Sequence, residues 1–130
     1  MYKVAVKYNK NLEFIVNSGN NSFLVDADGL AGVTPPGALL ASLASCMGVY
    51  IVKYFKGAKL NPGDFEVLVE AEFPKEPPYG FKEIKVIIDL KGSPLDERRR
   101  EALLSFIKNC PVHNTLRFNP QLEVNILNGY

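Results

Sequence analysis

The sequence predicts an α+β fold with a mostly antiparallel sheet and two main helices, in a single domain over residues 1–130. Segments in which polar and apolar residues alternate, the pattern of strands with one buried face, fill residues 2–27 and recur at 65–90 and 122–127. Two other segments combine apolar residues at helical spacing with capping residues and prolines at their starts. The resulting order of three strands, helix, two strands, helix and strand is typical of α+β proteins.

The first three strands are expected at residues 2–8, 12–17 and 22–27, where polar and apolar residues alternate. Turns are expected between them at residues 9–11 and 19–21, because asparagine and glycine adopt the backbone angles that tight turns require. Three short strands joined in this way predict an antiparallel meander.

The first helix is expected at residues 36–56, after an N-cap at Thr34 and with proline in its first turn. Apolar and small side chains surround it on nearly every side, which is typical of a helix that is buried on all sides. In so short a chain this predicts a helix covered by a sheet or by a second subunit, and we favour a homodimer. The longest uncharged, apolar-rich stretch, residues 37–52, is shorter than the roughly 20 residues that cross a bilayer, so the sequence predicts no membrane span.

Two longer strands are expected at residues 65–73 and 81–90, where a period of two predicts one buried and one solvated face. Their proline-rich connection, residues 74–80, is too long for a tight hairpin turn and is expected to project from the sheet. Tyr79 in this connection either covers a neighbouring site or is an incidental side chain of a surface loop.

The second helix is expected to begin with Ser93 as N-cap and Pro94 in the first position, and to end near Asn109. The proline at position 111 ends it, because the residue before a proline avoids helical backbone angles. A short helical turn is expected at residues 111–116 and a last strand at residues 122–127.

The composition argues against several classes of partner. Fifteen basic and fourteen acidic residues leave a net charge of +1, so no global field attracts nucleic acid or an anionic membrane. The three arginines at 98–100 are flanked by acidic residues, as on a solvated helix face. The N-terminus lacks the basic start, apolar run and cleavage site of a signal peptide, which predicts a cytoplasmic protein.

Cys46 and Cys110 are the only cysteines, and together they predict thiol chemistry. In a reducing compartment two cysteines so far apart in sequence do not predict a structural disulfide, and a bond between them would be redox-active. The alternative is that both are small buried apolar residues that serve packing. Local electrostatics points to Cys110 as the nucleophile, because its expected position at a helix N-terminus lowers a thiol pKa, whereas an apolar helix disfavours a thiolate at Cys46.

Two motifs resemble the OsmC/Ohr family of osmotically inducible and organic hydroperoxide resistance proteins. The helix from Pro36 to Cys46 carries, in near form, the family's pattern of proline, leucines and cysteine, and residues 110–116 carry its Cys-Pro-Val-x-x-Thr-Leu pattern. The order of elements is similar to that of the family over nearly the whole chain. The resemblance implies a cytosolic, intertwined homodimer with its central helices between two sheets and two active sites at the interface.

The resemblance also implies a thiol peroxidase that reduces organic hydroperoxides or hydrogen peroxide without a metal or organic cofactor. Carried over by motif, Cys46 is the peroxidatic cysteine and Cys110 the resolving one, with an external dithiol as the reductant. Pro36 stands where the family has a glutamate, and no arginine precedes Arg98, so the chain is similar to divergent members. Lysines near the N-terminus could supply the charge of the missing arginine, without its bidentate geometry: Lys3, Lys7 and Lys10.

His113 is the only histidine and lies three residues after Cys110. A base so close could activate a thiol, and Cys-x-x-His could supply two zinc ligands. Because a zinc site needs further ligands, we expect no metal, and we expect His113 to form a local hydrogen bond or to line the pocket. The alternative function is a non-catalytic dimer that binds a small apolar ligand at its interface, with three tyrosines in the wall: Tyr50, Tyr54 and Tyr79.

Overall fold

The computed structural model describes residues 1–92 and 95–128. These residues form an α+β fold, which confirms the predicted class and the antiparallel meander at the N-terminus. In chain order the elements are β1 (Val4–Lys10), β2 (Glu13–Ser18), β3 (Asn21–Asp26), α1 (Pro35–Gly57), β4 (Glu66–Glu70), β5 (Lys85–Asp89), α2 (Glu97–Ile107) and α3 (Pro111–Phe118).

Contacts divide the chain into two compact units, each made of two segments. The first unit comprises Met1–Ala44 and Val69–Val86, and the second comprises Ser45–Leu68 and Ile87–Tyr130. The expectation of a single domain over residues 1–130 stays a prediction. The units are described separately below.

In the first unit, β1, β2 and β3 form an antiparallel sheet in sequence order. Val6 lies opposite Val16, and Val16 lies opposite Phe23, so these three side chains share one face of the sheet. With Pro35 and Ala38 at the start of α1, this face lines an apolar groove of about 410 Å³. The strands therefore present an apolar surface to the helix that follows them.

The loop between β3 and α1 is held by the carboxylate of Asp26, which is only 3% exposed. This carboxylate accepts hydrogen bonds from the backbone N–H groups of Asp28 at 2.9 Å, Leu30 at 3.3 Å and Ala31 at 2.9 Å. These hydrogen bonds lower the pKa of Asp26, and burial opposes them in part. A side chain at Gly32 would collide with the carbonyl group of Leu24, so the loop lies directly on β3.

The helix α1 begins as predicted. The Thr34 hydroxyl accepts a hydrogen bond from the Gly37 N–H at 3.1 Å, which is the expected N-cap. A buried stripe then recurs every fourth residue, as in a helix packed on a protein core: Leu43, Met47, Ile51 and Phe55.

For α1, the absence of a membrane span and burial on all sides stay predictions. The helix spans 23 residues, because it continues through two lysines beyond the uncharged stretch, and by length and composition it could cross a membrane. The length of the uncharged stretch is therefore no argument against a span. Within the described chain the helix is also not buried on all sides, since Leu39 is 41% and Val49 49% exposed. The chain alone covers only part of this helix.

The core of the second unit joins α1 to α2. Ile51 and Phe55 of α1 form one buried cluster with Leu103 and Ile107 of α2. Partly buried side chains surround this cluster, and they come from α1, from β4 and β5 and from the connecting segments: Tyr50, Tyr54, Leu60, Phe65, Val67, Ile88, Leu90 and Leu95.

The N-cap of α2 is Asp96, whose side chain accepts a hydrogen bond from the Arg99 N–H at 2.8 Å. The predicted cap Ser93 and first helical residue Pro94 lie outside the described residues. The helix as described starts later than predicted, at Glu97, because Asp96 is an equally suitable cap and has the extended backbone that a cap requires.

The three strands predicted after α1 are shorter than predicted or are missing. β4 and β5 pair over only five residues each. The ring of Phe73, at the predicted end of the fourth strand, packs instead on Tyr79 and Phe81, with ring centroids 6.1 and 5.7 Å apart. The predicted last strand, residues 122–127, is not formed, and its apolar side chains are 83% to 89% exposed. The alternation of polar and apolar residues at 122–127 indicated a possible strand, but it could not show whether another strand pairs with this segment.

Replacing Asp26 with asparagine should destabilise the protein, because one carboxylate oxygen that accepts two N–H groups is lost. The pKa of Asp26 is lowered on folding, so its contribution is present above about pH 4 and is lost as the pH falls through the lowered value. Urea unfolding should therefore give a lower midpoint for Asp26→Asn at pH 7 and converging midpoints below about pH 4. Asp28→Asn, which removes a charge from an exposed position of the same loop, is the control; equal midpoints for all three proteins at pH 7 would contradict this role.

Candidate active site

Two structural elements of the second unit carry the cysteines. Cys46 lies in the fourth turn of α1, beside the buried Met47, and its side chain is partly exposed. Cys110 follows α2 closely, since its N–H donates to the Ile107 carbonyl at 3.0 Å, and it is fully buried with 0% exposure. Packing of α1 on α2 thus determines where both cysteines lie.

The two thiols are neighbours. Both cysteines are free, and a side-chain hydrogen bond with Cys46 is among the causes that raise the pKa of Cys110. Sixty-three intervening residues separate them in the sequence, so only the fold brings them together. The sequence alone could not show that Cys46 and Cys110 lie close together, whereas the fold brings them together.

Cys110 is also the N-cap residue of α3, as the sequence predicted from Pro111. Its sulfur accepts a hydrogen bond from the His113 N–H at 3.4 Å. The expected lowering of the Cys110 pKa is nevertheless wrong. Burial raises the pKa of the Cys110 thiol, the hydrogen bond with Cys46 raises it further, and the N–H groups of His113 and Val112 lower it less. Cys110 is therefore a protonated thiol at neutral pH, despite its position at a helix N-terminus.

The two thiols differ in access to solvent. Cys46 is partly exposed, whereas Cys110 is closed off. A dissolved oxidant or alkylating agent meets Cys46 first, and Cys110 is positioned to react next with whatever forms on Cys46. The arrangement can therefore support a sequential reaction of two thiols, with the roles implied by the resemblance.

His113 contacts this site through its backbone. Its ring Nδ1 lies 3.1 Å from Oδ1 of Asn114, which is a local hydrogen bond of the predicted kind. An amide oxygen accepts, so Nδ1 is the donor in this contact. Asn114 was not singled out from the sequence, because nothing in its spacing marks it. Among the residues that the structure describes, no cluster of three metal-ligating side chains occurs.

The tyrosines occupy different surroundings. Tyr50 lies one turn after Cys46 on α1, and its ring packs against Phe106 at 5.8 Å with Lys53 Nζ 5.0 Å from its centre. Tyr54 packs against Phe106 at 6.1 Å. Tyr79 belongs to the first unit, is exposed, and stacks on Phe73 at an interplanar angle of 7°. Its role as cover for a neighbouring site stays a prediction.

The positions at which the sequence departs from the OsmC/Ohr pattern lie in the first unit. Pro36 is in the first turn of α1. The three lysines proposed to replace an arginine are exposed, on β1 or just before it: Lys3, Lys7 and Lys10. Their substitution for the arginine stays a prediction.

Comparison with known proteins gives a consistent result. The family model described as OsmC-like protein matches residues 26–125. No curated protein matches the sequence. The OsmC-like protein from Mycoplasma pneumoniae is similar in structure, with a TM-score of 0.79 and 24% identity, over 96% of this chain and 93% of that one.

Two further solved structures are similar. The organic hydroperoxide resistance protein OhrB of Bacillus subtilis gives a TM-score of 0.63 and 22% identity, over 92% of each chain. An OsmC-like hydroperoxide resistance protein from a Jannaschia species gives a TM-score of 0.63 and 20% identity, over 95% of this chain and 90% of that one. At sequence identities this low, the structural similarity shows that these proteins share a fold.

The difference in burial predicts selective labelling of the native, reduced protein. Iodoacetamide should modify Cys46 readily, whereas Cys110 should react at least about tenfold more slowly, since it needs local opening. Peptide mass spectrometry after timed quenching gives both rates, and unfolding in urea should make them equal. Modification of Cys110 first, or of both at one rate in the native protein, would refute the assigned geometry.

Proposed function

The chain belongs to the OsmC-like protein family, and from that membership we propose that it is a cysteine-dependent peroxidase that reduces organic hydroperoxides or hydrogen peroxide. The observation that carries the proposal is the contact between a partly exposed thiol at Cys46 and a fully buried thiol at Cys110. The hydroperoxide resistance proteins among its structural neighbours give it further support. The proposed setting is the cytoplasm, in the response to oxidative stress.

In the first step the Cys46 thiolate attacks the terminal oxygen of the hydroperoxide. The O–O bond breaks, Cys46 becomes a sulfenic acid, and the alkoxide leaves and takes up a proton to form an alcohol. With hydrogen peroxide the leaving group becomes water. Sulfur is oxidised and the peroxide is reduced by two electrons.

In the second step the Cys110 thiol attacks the sulfenic sulfur of Cys46. A disulfide forms, and the thiol proton leaves with the hydroxyl group as water. Cys46 is close enough to influence the pKa of Cys110, which supports a step without a long approach. An external dithiol then restores both thiols by disulfide exchange and is itself oxidised. No metal or organic cofactor takes part in these steps.

Treating the reduced protein with cumene hydroperoxide tests this proposal. Wild type should lose two thiols for each peroxide consumed and should turn over when dithiothreitol is present. Cys46→Ser should consume peroxide at the uncatalysed rate. Cys110→Ser should stop after one equivalent, with a sulfenic acid at Cys46 that dimedone traps.

The proposal fails if wild type forms no disulfide and Cys110→Ser yields no trapped sulfenic acid. Hydrogen peroxide in place of cumene hydroperoxide shows which substrate class reacts faster. Saturable binding of the intact apolar hydroperoxide, with no loss of thiols, would instead support the alternative of a non-catalytic, ligand-binding dimer.

We also propose that the protein acts as a homodimer, as the family resemblance implies. Apolar side chains remain exposed on several elements of the chain, including Leu39 and Val49 on α1 and Val4 and Val6 on β1. Exposed apolar area on this scale marks an interaction surface. In the second unit, the apolar residues of the C-terminal segment are exposed as well: Leu122, Val124, Ile126 and Leu127.

Light scattering coupled to size exclusion should therefore give twice the chain mass of 14.4 kDa. Val124→Lys should weaken the dimer, because it places a charge among contacts of the C-terminal segment. Glu123→Lys, at the adjacent exposed position, should weaken it less. A wild-type monomer at micromolar concentration, or equal effects of the two substitutions, would count against this assembly.

A further inference from the structure

We propose that the basic surface beside Cys46 is the docking site of the external reductant, and that this reductant is an acidic protein with an exposed dithiol. The inference rests on the proposed function, in which a disulfide between Cys46 and Cys110 is reduced by disulfide exchange. It adds the chemical class of the partner, and it assigns a part in docking to Lys53.

The segments that carry the two cysteines are basic, although the whole chain is nearly neutral. Residues 35–63 and 102–122 contain five lysines and arginines and no aspartate or glutamate, whereas the rest of the chain has ten basic and fourteen acidic residues. The five basic side chains are exposed and belong to the second unit: Lys53, Lys56, Lys59, Lys108 and Arg117. The excess of positive charge therefore lies in the unit that holds both thiols.

Lys53 lies on the same face of α1 as Cys46. It follows Cys46 by seven residues, which is two turns or about 10 Å along the helix axis, and Tyr50 lies between them on that face. The Lys53 Nζ is 5.0 Å from the centre of the Tyr50 ring. Among the residues that the structure describes, the one ion pair joins Lys91 to Glu66. A cation that no carboxylate neutralises therefore lies two turns from the partly exposed thiol.

The end of α2 brings a second cation to this part of the unit. The ring of Phe106 packs against that of Tyr50, with centroids 5.8 Å apart. Lys108, two residues later, is the exposed C-cap residue of the same helix. Cations of both helices are thus close to the contact between Tyr50 and Phe106. Positive charges spread over two helices suit the extended acidic surface of a protein better than the single carboxylate of a small thiol.

The reductant has to attack Cys46, because Cys110 has no exposed surface. A thiolate of the partner attacks the Cys46 sulfur, a mixed disulfide forms, and the Cys110 sulfur leaves as a thiolate and takes up a proton. The second thiolate of the partner then attacks the partner's own sulfur in the mixed disulfide. This step releases the Cys46 thiolate and leaves the partner oxidised by two electrons. Both attacking groups are anions, so the positive charge of Lys53 favours their approach.

Disulfide reagents of different charge test the electrostatic field at Cys46 in the reduced protein. The rate constant of the first thiol to react is measured with dithiobis(nitrobenzoate), a dianion, with neutral dithiodipyridine and with cystamine, a dication. At a salt concentration of about 10 mM, where screening is weak, Lys53→Met should slow the dianion about two- to fourfold relative to the neutral reagent and should accelerate the dication. Lys53→Arg should keep the wild-type ratios, and about 150 mM salt should reduce the differences between reagents.

Lys91→Met is the matched control, because it removes the same charge from a position that is paired with Glu66. Its rate ratios should stay close to those of wild type. The neutral reagent measures any change in the reactivity of Cys46 itself. Equal slowing of all three reagents by Lys53→Met would therefore indicate altered packing at Tyr50 and would overturn the role of Lys53. Equal ratios in wild type and Lys53→Met would overturn it as well.

Two synthetic peptides test the class of the partner. Both contain Cys-Gly-Pro-Cys, flanked by glutamates in one and by lysines in the other, and each reduces protein whose disulfide has been formed with diamide. Each rate is divided by the rate of the same peptide with free dithiodipyridine, which corrects for the reactivity of its own thiols. At low salt the glutamate peptide should react at least about tenfold faster than the lysine peptide, and Lys53→Met should reduce this preference.

Equal corrected rates for the two peptides would overturn an acidic protein as the partner. Reduction by mercaptosuccinate as fast as by the glutamate peptide would overturn it too, since a small anionic thiol would then suffice. Neither experiment uses a peroxide. Charge-dependent rates in a protein that consumes no hydroperoxide would refute the proposed function alone, whereas charge-independent rates in an active peroxidase would refute the docking surface alone.

Discussion

Packing of α1 against α2 is the constraint on which the candidate site depends. Ile51 and Phe55 meet Leu103 and Ile107 in one buried cluster, and this fixes the two helices that lead to the cysteines. Cys46 lies five residues before Ile51 on α1, and Cys110 lies three residues after Ile107. Loss of buried aliphatic volume in such a cluster typically costs about 2–5 kcal/mol, and here it would also loosen the contact between the thiols.

Different degrees of burial give the two cysteines of the candidate site different chemical properties. Two identical side chains acquire different properties because one is partly open to solvent and the other is enclosed at a helix cap. Helix N-termini usually favour a thiolate, but at Cys110 desolvation outweighs the amide groups. For a cysteine at an N-cap, the lowering of its pKa by the helix N-terminus should therefore be compared with the raising of its pKa by burial before the thiol is called reactive.

Local sequence signals predicted local structure well. Thr34 caps α1 and Cys110 caps α3 because capping depends on a few neighbouring residues. The expectation of a lowered Cys110 pKa failed because the burial of Cys110 depends on distant parts of the chain. The strand at residues 122–127 failed for a similar reason, since an alternating segment needs a partner strand that the sequence pattern does not specify. The contact between Cys46 and Cys110 was likewise implied by resemblance and could not be derived from spacing.

The short passage from α2 to α3 limits how the chain can change in length. Lys108 and Asn109 alone separate the last residue of α2 from Cys110. Each helical residue turns the chain by about 100° and advances it by about 1.5 Å. One inserted or deleted residue here would swing the sulfur away from Cys46, whereas the exposed connection at residues 74–80 can absorb such changes. Within this fold, the separation between the second helix and the second cysteine is thus a more rigid requirement than the length of the loop between the paired strands.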